Sequence, residues 1–426
     1  MEINIFDGCE SFRRTLKSEN YSDIAFHVRE ILEYVKKFGD SALEKFSKKY
    51  DKIIPNSWLV PKSEIENALN NLDPKFLLIL EEAADNIMAF HERQKQSSQF
   101  DFDLDGSVIG WKVNPIDSVG IYVPGGSAIY PSSLLMNVIP AQVAGVGRIV
   151  LVSPPCKTGL PHQLVLASAA FMGINEIYSV GGVQAIGALA YGTESIKKVV
   201  KITGPGNAYV AEAKKQVFGT VGIDSFAGPS EIMIACNRND IPSEYIAWDL
   251  LSQAEHDPDS GAFLITTSKN QAKEISNLIK KITPNLSRSK IIEASFARNS
   301  AIIIEKQFEK IIETINDFAP EHLELLTKNP FEDIHLIRNA GAIFLGPNTP
   351  EPVGDYFAGP NHTLPTSGCA KFSSPLGVQD FIKNSSIISY SSKRLKDQSK
   401  QIIRFAEEEG LIAHANAIRI RIGNKI

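Results

Sequence analysis

The sequence predicts an α/β protein made of two consecutive parallel-sheet units with helical segments before and after them. Three observations carry this. From Ser118 onward, short β-branched runs alternate with small-residue amphipathic stretches. A second series of the same kind follows it, and the segments at either end are charged and helix-patterned instead. Strands recurring between stretches of helical length require βαβ units, and so parallel sheets covered by helices.

Taken in order, residues 1 to about 112 carry helical periodicity, as in Ser22–Phe38 and Pro74–Gln94, with few strand signals. The first strand series is VGIYV (119–123), RIVLVS (148–153), EIYSV (176–180) and KVVKI (198–202). Between and after these runs lie the helical stretches Ser132–Val146, Pro161–Met172, Val183–Tyr191 and Asn207–Phe218. The second series is EIMIAC (231–236), AFLIT (262–266), AIIIE (301–305) and AIFLG (342–346), with helices expected over Ser243–Ala254, Asn270–Ile282 and Glu305–Asp317. Two α/β units of similar size suggest an internal duplication, although no fixed-period repeat is present. From Lys393 the chain reads as a charged amphipathic helix, an arm or small helical domain outside both sheets.

Composition narrows the function classes. A chain of 426 residues exceeds the usual single-domain size, and 43% hydrophobic with 22% charged residues is ordinary for a globular protein. A formal net charge of -5 with dispersed basic residues argues against a nucleic-acid partner. The four cysteines (Cys9, Cys156, Cys236, Cys369) form no CxxC pair, so neither a disulfide framework nor a thiolate metal site is expected. The N-terminus lacks the apolar core of a signal peptide, and the longest apolar stretch, Leu134–Val146, is broken by Asn137, Pro140 and Gln142. A cytoplasmic protein without membrane partner is the expectation.

Glycines are concentrated at strand ends, in Val123-Pro-Gly-Gly-Ser127, Gly181-Gly182, Gly204-Pro-Gly206-Asn207 and Ala227-Gly-Pro-Ser230. Glycine permits positive φ and close backbone approach to a ligand, and open α/β sheets bind ligands beyond their strand carboxyl ends. One such loop is ordinary turn chemistry; four in succession favour a site. No GxGxxG occurs, so a standard dinucleotide fingerprint is absent. Ser252-Gln-Ala-Glu-His256 places Gln253 and His256 three apart on a predicted helix, where amide oxygen and imidazole could both ligate zinc. In isolation the pair equally suits a core or capping histidine. Two further ligand types are Asp355, in the Gly/Pro-rich loop EPVGDYFAGPNH, and His414 in the tail. Phe318-Ala-Pro-Glu-His322 sets Glu321 and His322 side by side behind Pro320, a carboxylate and an imidazole suited to proton transfer. The alternative is a surface Glu beside a strand-starting His. Gly359–Gly368 is dense in turn and polar residues, as a binding loop would be.

Together these segments resemble the histidinol dehydrogenase family over essentially the whole chain. The resemblance rests on GIYVPGGSAIYPSS, ITGPGNAYVAEAK, GIDSFAGPSE, DLLSQAEHDP, FAPEHLEL, PEPVGDYFAGPNHTLPTSG and EGLIAHANAIRIR, in the family's order and spacing. It implies an intertwined homodimer with two incomplete Rossmann-like domains. The implied division is an N-terminal helical arm (1–18), a first domain with a helical N-terminal part (19–118 and 233–374), an NAD-binding second domain (119–232) and a C-terminal helical arm (375–426). The implied cofactor contacts are Tyr122, Gln184 and Asn207. One zinc per subunit would be held by Gln253, His256, Asp355 and His414, the last from the partner chain. Substrate contacts would fall on Ser230, Gln253, His256, His322, Asp355, His362, Glu409 and His414, with Glu321 and His322 catalytic. The implied reaction converts L-histidinol through the aldehyde to L-histidine, with two NAD consumed. Zinc would clamp the substrate's nitrogens. A zinc-dependent paralogue acting on another polyol or hydroxy acid is the alternative enzyme, and a metabolite-binding protein without turnover is the alternative class.

Overall fold

The alternation expected from Ser118 onward forms strand by strand. The computed structural model describes residues 3–12, 21–125, 130–225 and 228–423. Residues 13–18 of the expected N-terminal arm, the end of the Val123–Ser127 loop and Ala227 lie outside the described residues. In chain order, β1 (Asn4–Asp7) precedes α1 (Tyr21–Tyr50), α2 (Lys62–Asn70) and α3 (Pro74–Glu92), followed by β2 (Gln99–Phe102) and β3 (Val108–Pro115). The first series comprises β4 (Ser118–Tyr122), α4 (Pro131–Ala144), β5 (Arg148–Ser153), α5 (Gln163–Phe171), β6 (Ile177–Ser179), α6 (Gly182–Tyr191), β7 (Lys201–Thr203), α7 (Ala208–Val217) and β8 (Gly222–Ile223). The second begins with β9 (Glu231–Cys236), α8 (Ser243–Ala254), β10 (Gly261–Thr266), α9 (Lys269–Ile282), α10 (Ser289–Arg298) and β11 (Ala301–Ile304). It continues through α11 (Phe308–Phe318), β12 (His322–Leu326), α12 (Pro330–Asp333), β13 (Ala342–Leu345) and α13 (Glu351–Tyr356). The tail holds β14 (Ile382–Ser389), α14 (Ser392–Glu408) and α15 (Ile412–Arg421).

Two parallel sheets result. One has the order β6-β5-β4-β7-β8, the other β1-β11-β10-β9-β12-β13. Strands β4, β9 and β10 are buried along their whole length, as parallel strands covered on both faces must be. Successive residues feed opposite faces. In β4, Ile121 joins the apolar cluster of α4 and α5, whereas Tyr122 joins the cluster built on α1 and α6. In β9, Ile232 and Ile234 meet the cluster of α8 and α9, while Met233 and Ala235 meet that of α11. In both sheets the chain runs outward from a central strand and then returns to its other side, so the order reverses between β4 and β7 and between β9 and β12.

Several elements differ from expectation. Among the described residues of the expected N-terminal arm, Asn4–Asp7 is a strand that pairs in parallel with β11 as the edge of the six-stranded sheet, and Cys9–Ser11 forms a single 3-10 turn. Residues 19–118 were expected with the second series, yet their helices pack on the five-stranded sheet. Val28, Leu32, Val35 and Leu43 of α1 share one cluster with Val150 and Val152, and Ile65, Leu80 and Ile87 of α2 and α3 share the other with Leu151. Gly187 makes this possible, because a Cβ there would lie 3.2 Å from Val35.

The chain forms two compact units, residues 1–94 with 116–381, and residues 95–115 with 382–426. The second was expected to be helical, but β14 pairs antiparallel with β3, which pairs with β2. The Asp105-Gly106 turn that joins β2 to β3 is a hairpin signal lost in the charged, helix-patterned surroundings. Among the described residues, no helix is long and apolar enough to cross a membrane.

Because Leu43 is fully buried between α1 and the five-stranded sheet, Leu43→Ala is expected to lower unfolding free energy by about 2–5 kcal/mol in urea titrations. A loss below about 1 kcal/mol would mean that α1 is not part of this core.

Candidate active site

The reversal between β9 and β12 brings together the amino ends of two buried strands. α11 ends at Phe318, Ala319 turns the chain through the left-handed region (φ 51), and Pro320 leads into β12. The segment is held from both sides. Pro320 and Glu321 carbonyls accept from the Gly341 and Ala342 N–H groups at 2.9 and 2.8 Å. On the other side stands Glu231, the first residue of β9. Its N–H donates to Glu321 Oε2 at 2.8 Å, and its carbonyl accepts from His322 Nδ1 at 3.0 Å. A carbonyl can only accept, so the His322 proton sits on Nδ1 and Nε2 carries the bare lone pair. Nε2 is buried and has no hydrogen-bond partner. Burial drives the His322 pKa down to about 4, against the opposing pull of Asp355, so the ring is neutral at pH 7. Glu321 is shifted well above the ordinary carboxyl range, chiefly by burial, although the Glu231 N–H and the Ser230 hydroxyl pull the other way. Half-buried Ser230 thus touches the Glu321 carboxyl directly. His322 does begin a strand, but Glu321 beside it is buried and not a surface residue.

Next to this pair lies a cluster of metal-ligand type. Gln253 is on the last turn of α8 and is fully buried, and neither its amide oxygen nor its nitrogen has a hydrogen-bond partner. His256 follows three residues on, just past the helix end, with its N–H bonded to the Gln253 carbonyl at 3.3 Å. Donor atoms of His256, Glu351 and Asp355 all lie within 4.8 Å of one another. Asp355 is not in a loop as expected: α13 carries both Glu351 and Asp355, one turn apart on the same face. An unsatisfied buried amide and an imidazole at the C-terminus of α8, with two carboxylates from α13, form an N/O donor set that fits zinc.

Glu351 was absent from the sequence-based set. It is buried, its Oε2 is unpartnered, and Oε1 lies 3.6 Å from His322 Nδ1. Its spacing of four from Asp355 was the available signal. Behind it, Glu324 Oε1 accepts the Glu351 N–H at 3.1 Å, and Asp249 shares a hydrogen bond with Glu324. His362 joins the site through Nδ1, which donates to the Asp355 carbonyl at 3.0 Å, while Nε2 lies 3.3 Å from Ser133 Oγ. Burial, first among its influences, lowers the His362 pKa. Glu409 and His414 are exposed residues of the second unit, at the end of α14 and on α15.

The three expected cofactor contacts lie at the carboxyl ends of the five-stranded sheet, around the β4/β7 reversal where such sheets bind ligands. Tyr122 is buried, and its hydroxyl accepts from the Gly182 N–H at 3.1 Å; burial pushes its pKa up to about 12. Gln184 is buried in the first turn of α6. Asn207 is exposed and caps α7, its Oδ1 accepting from Tyr209 and Val210 N–H, both at 3.1 Å. Tyr122 and Gln184 therefore shape the loops from within, and Asn207 stands at a helix N-terminus suited to anions.

A Rossmann-like sheet, a neutral imidazole and an N/O cluster of metal-ligand type fit a dinucleotide-dependent oxidoreductase. Comparison with known proteins makes this particular. The profile of the histidinol dehydrogenase family matches residues 14–422. Histidinol dehydrogenase of Bacillus subtilis is 54% identical over 423 residues, covering 99% of each chain, and that of Listeria monocytogenes is 50% identical over 411 residues, covering 95% of this chain and 96% of its own. The crystal structure of histidinol dehydrogenase from Elizabethkingia anophelis superposes with a TM-score of 0.91 at 36% identity, over 99% of this chain and 98% of that one. The chain belongs to the histidinol dehydrogenase family.

Burial raises the Asp249 pKa to about 6. A carboxyl whose folded pKa exceeds its unfolded value of about 3.9 stabilises the fold fully below that value and loses the contribution as pH rises through about 6. Asp249→Asn removes this titration and keeps a donor for Glu324. Urea unfolding should find the variant gaining on wild type between about pH 4 and 7, and a pH-independent difference would refute the shift.

Proposed function

We propose that this chain oxidises L-histidinol through L-histidinaldehyde to L-histidine, with two NAD reduced per turnover and zinc at the Gln253/His256/Asp355 cluster. The observation that carries the reading is the pair held by Glu231: a neutral imidazole with its Nε2 lone pair free, beside a carboxyl of raised proton affinity. When bound, NAD supplies the hydride acceptor and zinc a clamp for the imidazole and amine nitrogens of the substrate.

The protein's own groups do the rest. His322 Nε2 takes the hydroxyl proton of the alcohol, and its Nδ1–H stays on the Glu231 carbonyl, so the ring does not rotate out of line. Glu321 is a stronger base than an exposed carboxylate because burial raises its affinity for protons, and it draws a proton from the water that adds to the aldehyde. As that water adds, His322 returns its proton to the former carbonyl oxygen, and its freed Nε2 then accepts the second hydroxyl proton, from the hydrate. The buried setting keeps bulk water from the aldehyde between the two oxidations.

We further propose that Glu409 and His414 complete the site of a partner subunit in a homodimer. Their exposure supports this, as does the small number of residues buried along α14 and α15, namely Ser399, Ala406 and Ala415. The decisive test of the reaction is stoichiometry: two NADH formed per histidinol consumed, with simple diols turned over far more slowly. One NADH per histidinol, or preference for a diol, would reject it.

Glu321→Gln should slow aldehyde oxidation by about 10²–10⁴-fold while sparing alcohol oxidation, and His322→Asn should slow both. Equal damage to both half-reactions in Glu321→Gln would remove the assigned role.

Co-expression of a His414→Ala chain with a Glu321→Gln chain tests the shared site. In a mixed dimer one site carries both lesions and the other neither. Random pairing should then restore about a quarter of wild-type activity. No recovery, with mixed dimers verified by mass spectrometry, would place His414 in its own chain's site.

A further inference from the structure

The Gly204-Pro-Gly206-Asn207 turn rests on a buried ion pair that neither the fold nor the reaction chemistry obviously requires. Lys214, on α7, and Asp224, just past β8, are paired with side chains only 2% and 3% exposed. Both also grip the same residue. Asp224 Oδ2 accepts the Gly204 N–H at 2.8 Å, and Lys214 Nζ donates to the Gly204 carbonyl at 2.9 Å. The second Asp224 oxygen accepts the Ser225 N–H at 2.8 Å. Gly204 itself has no freedom to relax. Its φ is +109, and a Cβ there would stand 2.2 Å from the Tyr122 carbonyl oxygen at the end of the neighbouring strand.

Burying two charges carries a desolvation penalty that their attraction does not reliably recover, and well-packed apolar replacements are often as stable or more so. What the pair does provide is position. It closes both backbone groups of Gly204, so the turn has one conformation. That turn hands the chain directly to Asn207, whose Oδ1 caps the Tyr209 and Val210 N–H groups at the start of α7, at the reversal point of the sheet.

We infer that Lys214 and Asp224 are positioning residues for the dinucleotide: they hold the turn so that the α7 N-terminus meets the diphosphate. The inference rests on the reading that NAD binds at the β4/β7 reversal.

The double variant Lys214→Met/Asp224→Leu tests it, because it removes both charges together and leaves neither unpaired. The expected result is NAD dissociation constants from fluorescence or calorimetry raised by about tenfold to a hundredfold, the range of one lost charge-assisted hydrogen bond. KM for NAD should rise while KM for histidinol and kcat at saturating NAD hold, a split that general destabilisation would not produce. Unchanged NAD affinity in a stable double variant overturns the inference. If that variant melts early, Asp224→Asn decides instead, since it keeps the side-chain volume and an acceptor for Gly204. Weakened NAD binding supports the inference, and wild-type binding overturns it. Asn207→Ala separates the two layers. If it weakens NAD while the pair variants do not, only the positioning role fails; if none of the three changes NAD affinity, the location of the cofactor fails with it.

Discussion

The active site depends on the main chain of one residue. Glu231 opens β9, and β12 lies parallel to it with His322 opposite Ile232. In that register the N–H and the carbonyl of Glu231 reach two consecutive side chains of the neighbouring strand, Glu321 and His322. Each bond sets a chemical property. The carbonyl fixes the tautomer of the imidazole, and the N–H, together with the Ser230 hydroxyl, orients the buried carboxyl. A slip of one residue between these strands would send both side chains to the opposite face, and the site would vanish with no change in composition.

The same burial that tunes these groups loads the region with acids that resist ionisation. Glu321, Glu324 and Glu351 are all displaced upward, with desolvation as the leading cause. An ordinary core does not assemble three buried carboxyls and an unsatisfied glutamine amide around an imidazole. A cation at this position would supply the missing charge, which is why the cluster suits a metal and why its residues come from the C-terminus of one helix and from α13. The location is itself unusual. The five-stranded sheet presents its glycine-rich loops at strand carboxyl ends, whereas Glu321 and His322 sit at the amino ends of β9 and β12.

Local pattern in the sequence was enough for most of the fold. The eight β-branched runs all became strands, because continuous apolar segments between helices leave little other choice. What was missed was non-local or short. Asn4–Asp7 is too brief to declare itself, and it becomes a strand only because β11 offers an edge. HLELL was read for its chemistry and not as a strand, since Glu324 interrupts the apolar run; that glutamate is buried because α13 supplies a donor. Whether α1 belongs to one sheet or the other is settled by tertiary packing, which no periodicity records. In the site, Gln253, His256, Glu321, His322 and Asp355 carried motif signals. Glu351 offered only its spacing of four from Asp355, and a glutamate between two prolines reads first as a helix start.

The grip of Glu231 has a consequence for how such a site appears to genetics. Its two hydrogen bonds use backbone atoms, and no side-chain replacement other than proline removes a backbone N–H. Alanine scanning would therefore report on the carboxylate of residue 231 and pass over its role in holding Glu321 and His322. The contact that holds the Glu321/His322 pair is thus largely hidden from mutational surveys, and sequence drift at this position can proceed while the geometry it maintains stays the same.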